Sequence, residues 1–158
     1  MSSEKPRVVF DCMIFLQAAA RHQGIAAACL RLAEQRYLSL FISPAILREV
    51  QDVLSRDYIR ARFETLTDET VAAFIDRLRN IGQLVKRVPK KFDYQERDVK
   101  DEPYINLAIQ VEADYLVSRD KDLLDLMKWD KEISREFQRR FKFIKVVTPE
   151  TFIQEIKE

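Results

Sequence analysis

Asp11 follows the apolar run Val8-Val9-Phe10 directly, and Cys12, Met13, Ile14 and Phe15 resume that run behind it. A carboxylate flanked on both sides by core-forming residues is expensive to bury without a partner. Three more acids hold comparable places: Glu49 in "SPAILREV", Asp101 at the head of "DEPYINLAIQVEA", and Asp120 in "YLVSRDKDLL". If the strands before these segments run parallel, the loops and helix starts after them converge on one edge of the sheet. Four carboxylates from four segments would then share a cleft. Packed together they repel and resist ionisation, unless a divalent cation sits among them. Oxygen-only ligands suit Mg²⁺ or Mn²⁺, and no thiolate or imidazole set competes for zinc. Two such ions about 3.5–4 Å apart activate a water and stabilise the leaving oxygen of a phosphodiester. The chemistry expected is metal-dependent hydrolysis.

The same acids also admit a purely structural reading. A chain with 26 acidic residues places some near strand ends by chance. Asp120 could cap a helix beginning at Lys121, and Asp98 or Asp101 could cap one after Lys100. Glu49 could be a solvated helix residue paired with Arg48, Arg56 or a neighbour. Asp11, with apolar neighbours on both sides, is the hardest to explain this way.

Composition narrows the alternatives. The lone histidine, His22, would have to serve any Ser-His-Asp triad, and no G-x-S-x-G elbow accompanies it. Two glycines cannot build a dinucleotide fingerprint or a P-loop. Cys12 and Cys29 form neither a disulfide framework nor a zinc pattern. A phosphatase-like aspartate nucleophile would want a second Asp two residues after Asp11, where Met13 stands. Net charge is +1, so the chain as a whole does not attract nucleic acid indiscriminately. Met1-Ser2-Ser3-Glu4-Lys5 lacks a signal-peptide pattern and no apolar run is long enough to span a bilayer, so no membrane is expected; the cysteine usage makes a reducing cytoplasm the simple expectation.

The elements that must position the acids alternate between short apolar strands and helices. Strands are expected at 7–10, 38–43, 83–88, 114–118 and 141–149. Helices are expected over 13–36 with a break near Gly24, from Pro44 through Ser55, over 67–82, over 101–113, from 121, and at the C-terminus. Thr67 caps the third of these, Thr70 falls short of a capping box, and Gly82 ends it. A polar, lysine-rich connection runs to about residue 97. With no linker or repeat in 158 residues, this predicts one domain, a three-layer α/β/α sandwich around a mostly parallel sheet.

Taken in order, "VVFDCMIF", "SPAILREVQDVL" and "DVKDEPYINLAIQVEADYLVSRDKDLL" resemble the PIN-domain ribonucleases, most of all the branch of toxin components from toxin–antitoxin pairs. The resemblance runs from about residue 7 to residue 150. It implies Asp11, Glu49, Asp101 and Asp120 as catalytic, metal-holding acids, with Asp98 and Glu102 as near alternatives for the third. It implies Ser118 as the hydroxyl that orders the last acid, Mg²⁺ or Mn²⁺ as cofactor, and cleavage of single-stranded RNA to leave a 5′-phosphate. One departure is plain. The family usually reads Asp-Thr-Asn at the first strand end, whereas this chain has Asp11-Cys12-Met13. Cysteine donates a weak hydrogen bond and methionine none, so orientation of Asp11 falls to backbone amides or to Ser118. Cys12 and Met13 are expected to pack in the core. A catalytically degenerate RNA- or protein-binding module is the alternative that this departure motivates.

Basic residues flank the acids. Lys86, Arg87, Lys90 and Lys91 precede Asp101, while Arg119 and Lys121 surround Asp120. Phosphate neutralisation by Lys and Arg gives sequence-independent, salt-sensitive affinity. Arg119 is the first candidate for the scissile-strand phosphate, with Lys121, Lys86 and Arg87 as further contacts, whereas Lys90 and Lys91 read equally as a solvated loop. Arg135, Arg139 and Arg140 read as ordinary surface pairs. Phe92, Tyr94 and Tyr104 could stack on unpaired bases, with core burial the safer assignment for Tyr104. Segments 13–36 and 58–79 carry apolar stripes, a surface that the homodimer or antitoxin helix implied by the resemblance would use.

Overall fold

Each strand is a run of two to four mostly apolar residues that cannot cover itself. The computed structural model describes residues 5–94 and 99–157. In it β1 (Arg7–Phe10), β2 (Ser39–Ile42), β3 (Gln83–Leu84), β4 (Tyr115–Val117) and β5 (Lys145–Val147) line up in the order β3-β2-β1-β4-β5. Every pair is parallel. Parallel strands need crossover connections, and the helices that supply them cover both faces. These are α1 (Cys12–Ala20), α2 (Ile25–Glu34), α3 (Pro44–Leu54), α4 (Asp57–Arg62), α5 (Asp68–Ile81), α6 (Glu102–Gln110), α7 (Lys121–Leu124), α8 (Glu132–Arg140) and α9 (Pro149–Ile156). The result is the expected α/β/α sandwich. Among the described residues, no helix is long and apolar enough to cross a membrane.

The chain works outward from β1 to β2 and β3, then returns across β1 to β4 and β5. That reversal opens a crevice beyond the C-terminal ends of β1 and β4. Register is tight there: Phe10 lies opposite Val117, and the Asp11 amide donates to the Val117 carbonyl at 3.1 Å.

Several local expectations change. The strand expected at 83–88 stops at Leu84; the Val85 amide still donates to Ile42 at 2.8 Å, but Lys86, Arg87 and Pro89 blunt this edge. The last strand begins only at Lys145, because Phe141 closes α8 and Ile144 turns back on it. Helix α8 was not expected as a separate element; its charged sequence hides a stripe in which Ile133 and Phe137 face inward. Thr70 does complete a capping box: its hydroxyl oxygen accepts from the Thr67 amide at 2.8 Å, doing the work usually given to Glu or Gln. Gly82 ends α5 in extended backbone, and there a Cβ would stand 2.9 Å from the Ile42 side chain.

Phe92 and Tyr94 also depart from expectation. Both are buried, so neither offers a face to a base. Phe92 meets Phe137 and Phe141 edge-on, at 5.3 and 6.1 Å between ring centroids. Each such ring contributes about 1.5–3 kcal/mol through burial. Asn106 pins this strap to α6: its Oδ1 accepts from the Lys91 and Phe92 amides at 2.8 and 2.9 Å, and its Nδ2 donates to the Phe92 carbonyl.

Candidate metal centre and nucleic-acid cleft

Asp11 sits where β1 ends and α1 begins, and it serves as the N-cap of α1. One carboxylate oxygen accepts from the Ile14 amide at 3.1 Å; the other accepts the hydroxyl proton of Ser118. Ser118, fully buried just after β4, also accepts from the Asp120 amide at 2.8 Å. A single hydroxyl therefore fixes both the first acid and the backbone of the last. The orienting groups missing at Cys12 and Met13 are supplied by a backbone amide and Ser118, the two sources the sequence left available.

Asp120 caps α7 as the structural reading proposed, accepting from the Asp122 amide at 2.8 Å. Capping does not exhaust it. Carboxylate oxygens of Asp101, Asp120 and Asp122 all lie within 4.8 Å of one another. Asp101 reaches this point from the turn that opens α6, and it is 7% exposed. Asp122 was missed by the sequence reading. Its signal was the two-residue spacing in "SRDKD", which lets one tight turn present both acids. Buried Tyr94 supports that turn from behind, donating its hydroxyl to the Asp122 carbonyl at 2.6 Å.

Glu49 comes from α3, half-buried, and it accepts a hydrogen bond from the hydroxyl of Tyr104 on α6 rather than pairing with Arg48 or Arg56. Arg56 is instead held by Asp52 at 2.8 Å. Asp11, Glu49, Asp101 and Asp120 line one cleft of about 610 Å³, together with Lys100, Tyr104, Arg56 and Arg119. All four acids first picked from the sequence face the same space.

Electrostatics follow from the packing. Burial pushes the Asp11 carboxyl up to about 6, partly offset by the Ser118 and Ile14 hydrogen bonds and reinforced by the nearby charge of Asp120. Burial, then Glu49 and Asp11, push the Cys12 thiol up to about 12, so it stays protonated at neutral pH. Burial and the neighbouring Cys12 and Glu49 raise the Tyr104 hydroxyl, which remains a hydrogen-bond donor. The donors facing the cluster are thus hard carboxylate oxygens, a set that fits a divalent cation.

The other sequence candidates fall elsewhere. Asp98 lies outside the described residues. Glu102 turns away from the cluster into a neighbouring cleft of about 430 Å³, which Lys86, Arg48 and Lys90 also line. Its carboxylate accepts from the Tyr94 amide at 2.8 Å and lies 3.3 Å from the Lys90 ammonium. Arg87 is exposed nearby. Lys121 is exposed and pairs with Asp125 at 3.3 Å. Arg119 stands at the mouth of the acidic cleft, forked onto Glu150 at 2.6 and 3.0 Å, with Nε donating to Gln17. Arg135, Arg139 and Arg140 form surface pairs with Glu132 and Glu136, as expected. His22 is exposed. Met13, expected in the core, is 45% exposed at the edge of the cleft.

Residues 7–122 match the profile of the PIN domain family. This chain is a PIN domain. The crystal structure of PAE2754 from Pyrobaculum aerophilum has the same fold: TM-score 0.59 and 14% identity, over 97% of this chain and 90% of that one. No curated protein sequence matches the chain. PIN domains are generally nucleases that use divalent metal ions, and this PIN domain keeps an acidic triad of suitable chemistry at its sheet edge.

Proposed function

We propose that this PIN domain is a Mg²⁺- or Mn²⁺-dependent endoribonuclease that hydrolyses phosphodiester bonds of single-stranded RNA, acting as the toxin of a toxin–antitoxin pair in the cytoplasm. The observation that carries the reading is the meeting of Asp101, Asp120 and Asp122 in a cleft that Asp11 and Glu49 also line. Asp101, Asp120 and Asp122 would hold the cation, with Asp11 and Glu49 completing the set. When bound, the cation supplies Lewis-acid polarisation and lowers the pKa of a water. The chain's own residues do the positioning. Ser118 and the Ile14 amide fix Asp11, Tyr104 fixes Glu49, and the Asp122 amide fixes Asp120. Lys100 and Arg119 border the cleft where phosphates would enter.

A labelled single-stranded RNA, incubated with Mn²⁺ and wild-type protein or Asp120→Asn, tests the reading. Wild type should give 5′-phosphorylated fragments, and the variant should lose cleavage by about 10²–10³-fold, the usual cost of removing one electrostatic stabiliser. Cleavage unchanged by Asp120→Asn overturns it. The catalytically degenerate binding module is separated by calorimetric titration with Mn²⁺, since a binding module need show no metal affinity tied to these acids. The toxin assignment brings two proposed partners, an antitoxin protein and a second copy of the chain. A monomer by light scattering at micromolar concentration would remove the second copy.

A further inference from the structure

Met13 is accounted for neither by the core nor by the acids. It lines two clefts at once: the acidic one, and an adjoining cleft of about 410 Å³ between α1, the turn before α2, and α4. The walls of this second cleft are apolar, built from Met13, Leu16, Ala20, Ile25, Ile59 and Phe63. Its rim is cationic. The Arg21 guanidinium lies 6.0 Å from the centre of the Phe63 ring, and that of Arg62 lies 5.6 Å from it. Among the described residues neither arginine takes part in an ion pair. The two clefts are continuous, sharing Met13, Leu16, Gln17, Ile59 and Arg119 along their common border.

An apolar recess with two guanidinium groups beside its Phe63 wall suits a ligand with a flat apolar body and attached negative charge. A nucleotide has that form: a base for the recess and a phosphate for the rim. A peptide helix would need both an apolar face for the wall and acids placed to meet Arg21 and Arg62, whereas a nucleotide carries both features in one residue. A base inside a duplex would first have to unpair and unstack, whereas a base in a single strand enters without that cost. Methionine suits the wall, because its unbranched thioether adapts to an aromatic face. A polar side chain at position 13 would not extend the apolar surface to the border of the acids.

We propose that this second cleft is a nucleobase subsite. It takes one unstacked base of a single-stranded RNA beside the phosphate presented to the acids. Met13 and Phe63 are the specificity-determining contacts, and Arg21 and Arg62 neutralise the adjoining phosphate. The position of the base relative to a cut rests on the nuclease reading; the binding itself does not.

The test therefore reads binding. In an Asp11→Asn background with Mg²⁺, fluorescence anisotropy would follow a labelled single-stranded pentaribonucleotide and a series with one nucleotide made abasic in turn. One position should weaken binding by about tenfold when its base is removed, within the range for base–aromatic stacking. That penalty should shrink to under threefold in Phe63→Leu and in Met13→Asn. Met13→Asn alters an exposed side chain and guards against misfolding of the Phe63 variant. Equal affinity for intact and abasic strands overturns the subsite and leaves the cleft to a protein partner. So does a tenfold penalty that persists in both variants. Failure of the wild-type chain to cut RNA, with base-dependent binding intact, would count against the nuclease reading alone.

Discussion

Asp101 and Glu102 are chain neighbours, 7% and 6% exposed, and they turn into different clefts. Glu102 meets groups that satisfy it within the fold: the Tyr94 amide and the Lys90 ammonium. Its carboxylate ties the strap of residues 91–94 to α6, beside Asn106. Asp101 meets two other aspartates at the reversal of the sheet. Burial of an acid therefore says little by itself. What matters is the company the fold gives it: Glu102 is tied into the scaffold, whereas Asp101 is gathered with other acids whose mutual repulsion a bound cation would relieve.

The sharpest break in that comparison is a pair of isosteric substitutions. Asp101→Asn should reduce Mn²⁺-dependent cleavage by about 10²–10³-fold with little change in folding. Glu102→Gln keeps an acceptor for the Tyr94 amide and loses only the pair with half-exposed Lys90. Turnover should stay within about threefold and stability within about 1 kcal/mol. Rate measurements beside urea titrations of both variants decide it. A larger loss of cleavage in Glu102→Gln would exchange the roles assigned to the two acids.

Asp11 sharpens the comparison through pH. Its carboxyl is raised from 3.8 to about 6. Below pH 3.8 the folded and unfolded chains both hold the proton. Between 3.8 and 6 the folded chain keeps a proton that the unfolded chain has lost, so stability falls as pH rises through this interval. Above pH 6 the deficit is constant, on the order of 3 kcal/mol. Without divalent cations, Asp11→Asn should therefore stabilise the protein by about that amount at pH 7.5 and hardly at all at pH 3.5. Added Mn²⁺ should narrow the difference at pH 7.5, since the cation relieves what the substitution removes. Urea midpoints at the two pH values, with and without Mn²⁺, measure this; equal gains at both would place the cost elsewhere than the buried charge.

The sequence is legible where its signals are local. Residues just after parallel strands must share an edge, so Asp11 and Asp120 could be placed together before any coordinates. Helix starts brought in Asp101 and Glu49 by the same rule. Asp122 had a local signal in the spacing of "SRDKD", but two acids so close read equally as a solvated helix start. The brace from Tyr94 that backs the turn comes from a distant strap that periodicity does not carry. Phe92 and Tyr94 were misread for the matching reason: they sit in a polar connection, and the ring that Phe92 packs against belongs to α8, whose charges masked its buried stripe. Met13 was counted as core because it lies in an apolar run. Within the first turn of α1, Ile14 and Phe15 are fully buried, while Met13 falls on the side that opens to the two clefts.

Arg119 offers the smallest effect and the finest test. It borders both clefts, yet its guanidinium is forked onto Glu150 in the first turn of α9 and bonded to Gln17. The pair is partly exposed, so its loss should change stability by less than about 1 kcal/mol. If Glu150 withholds Arg119 from phosphate, Glu150→Gln should tighten RNA binding two- to threefold at low salt and steepen the fall of affinity with salt concentration, because one more phosphate contact releases one more counterion. If Glu150 instead holds Arg119 where a phosphate will meet it, the same variant should bind more weakly. Salt-dependent titrations of Glu150→Gln beside Arg119→Ala separate the two, since only withholding predicts that the variants move affinity in opposite directions.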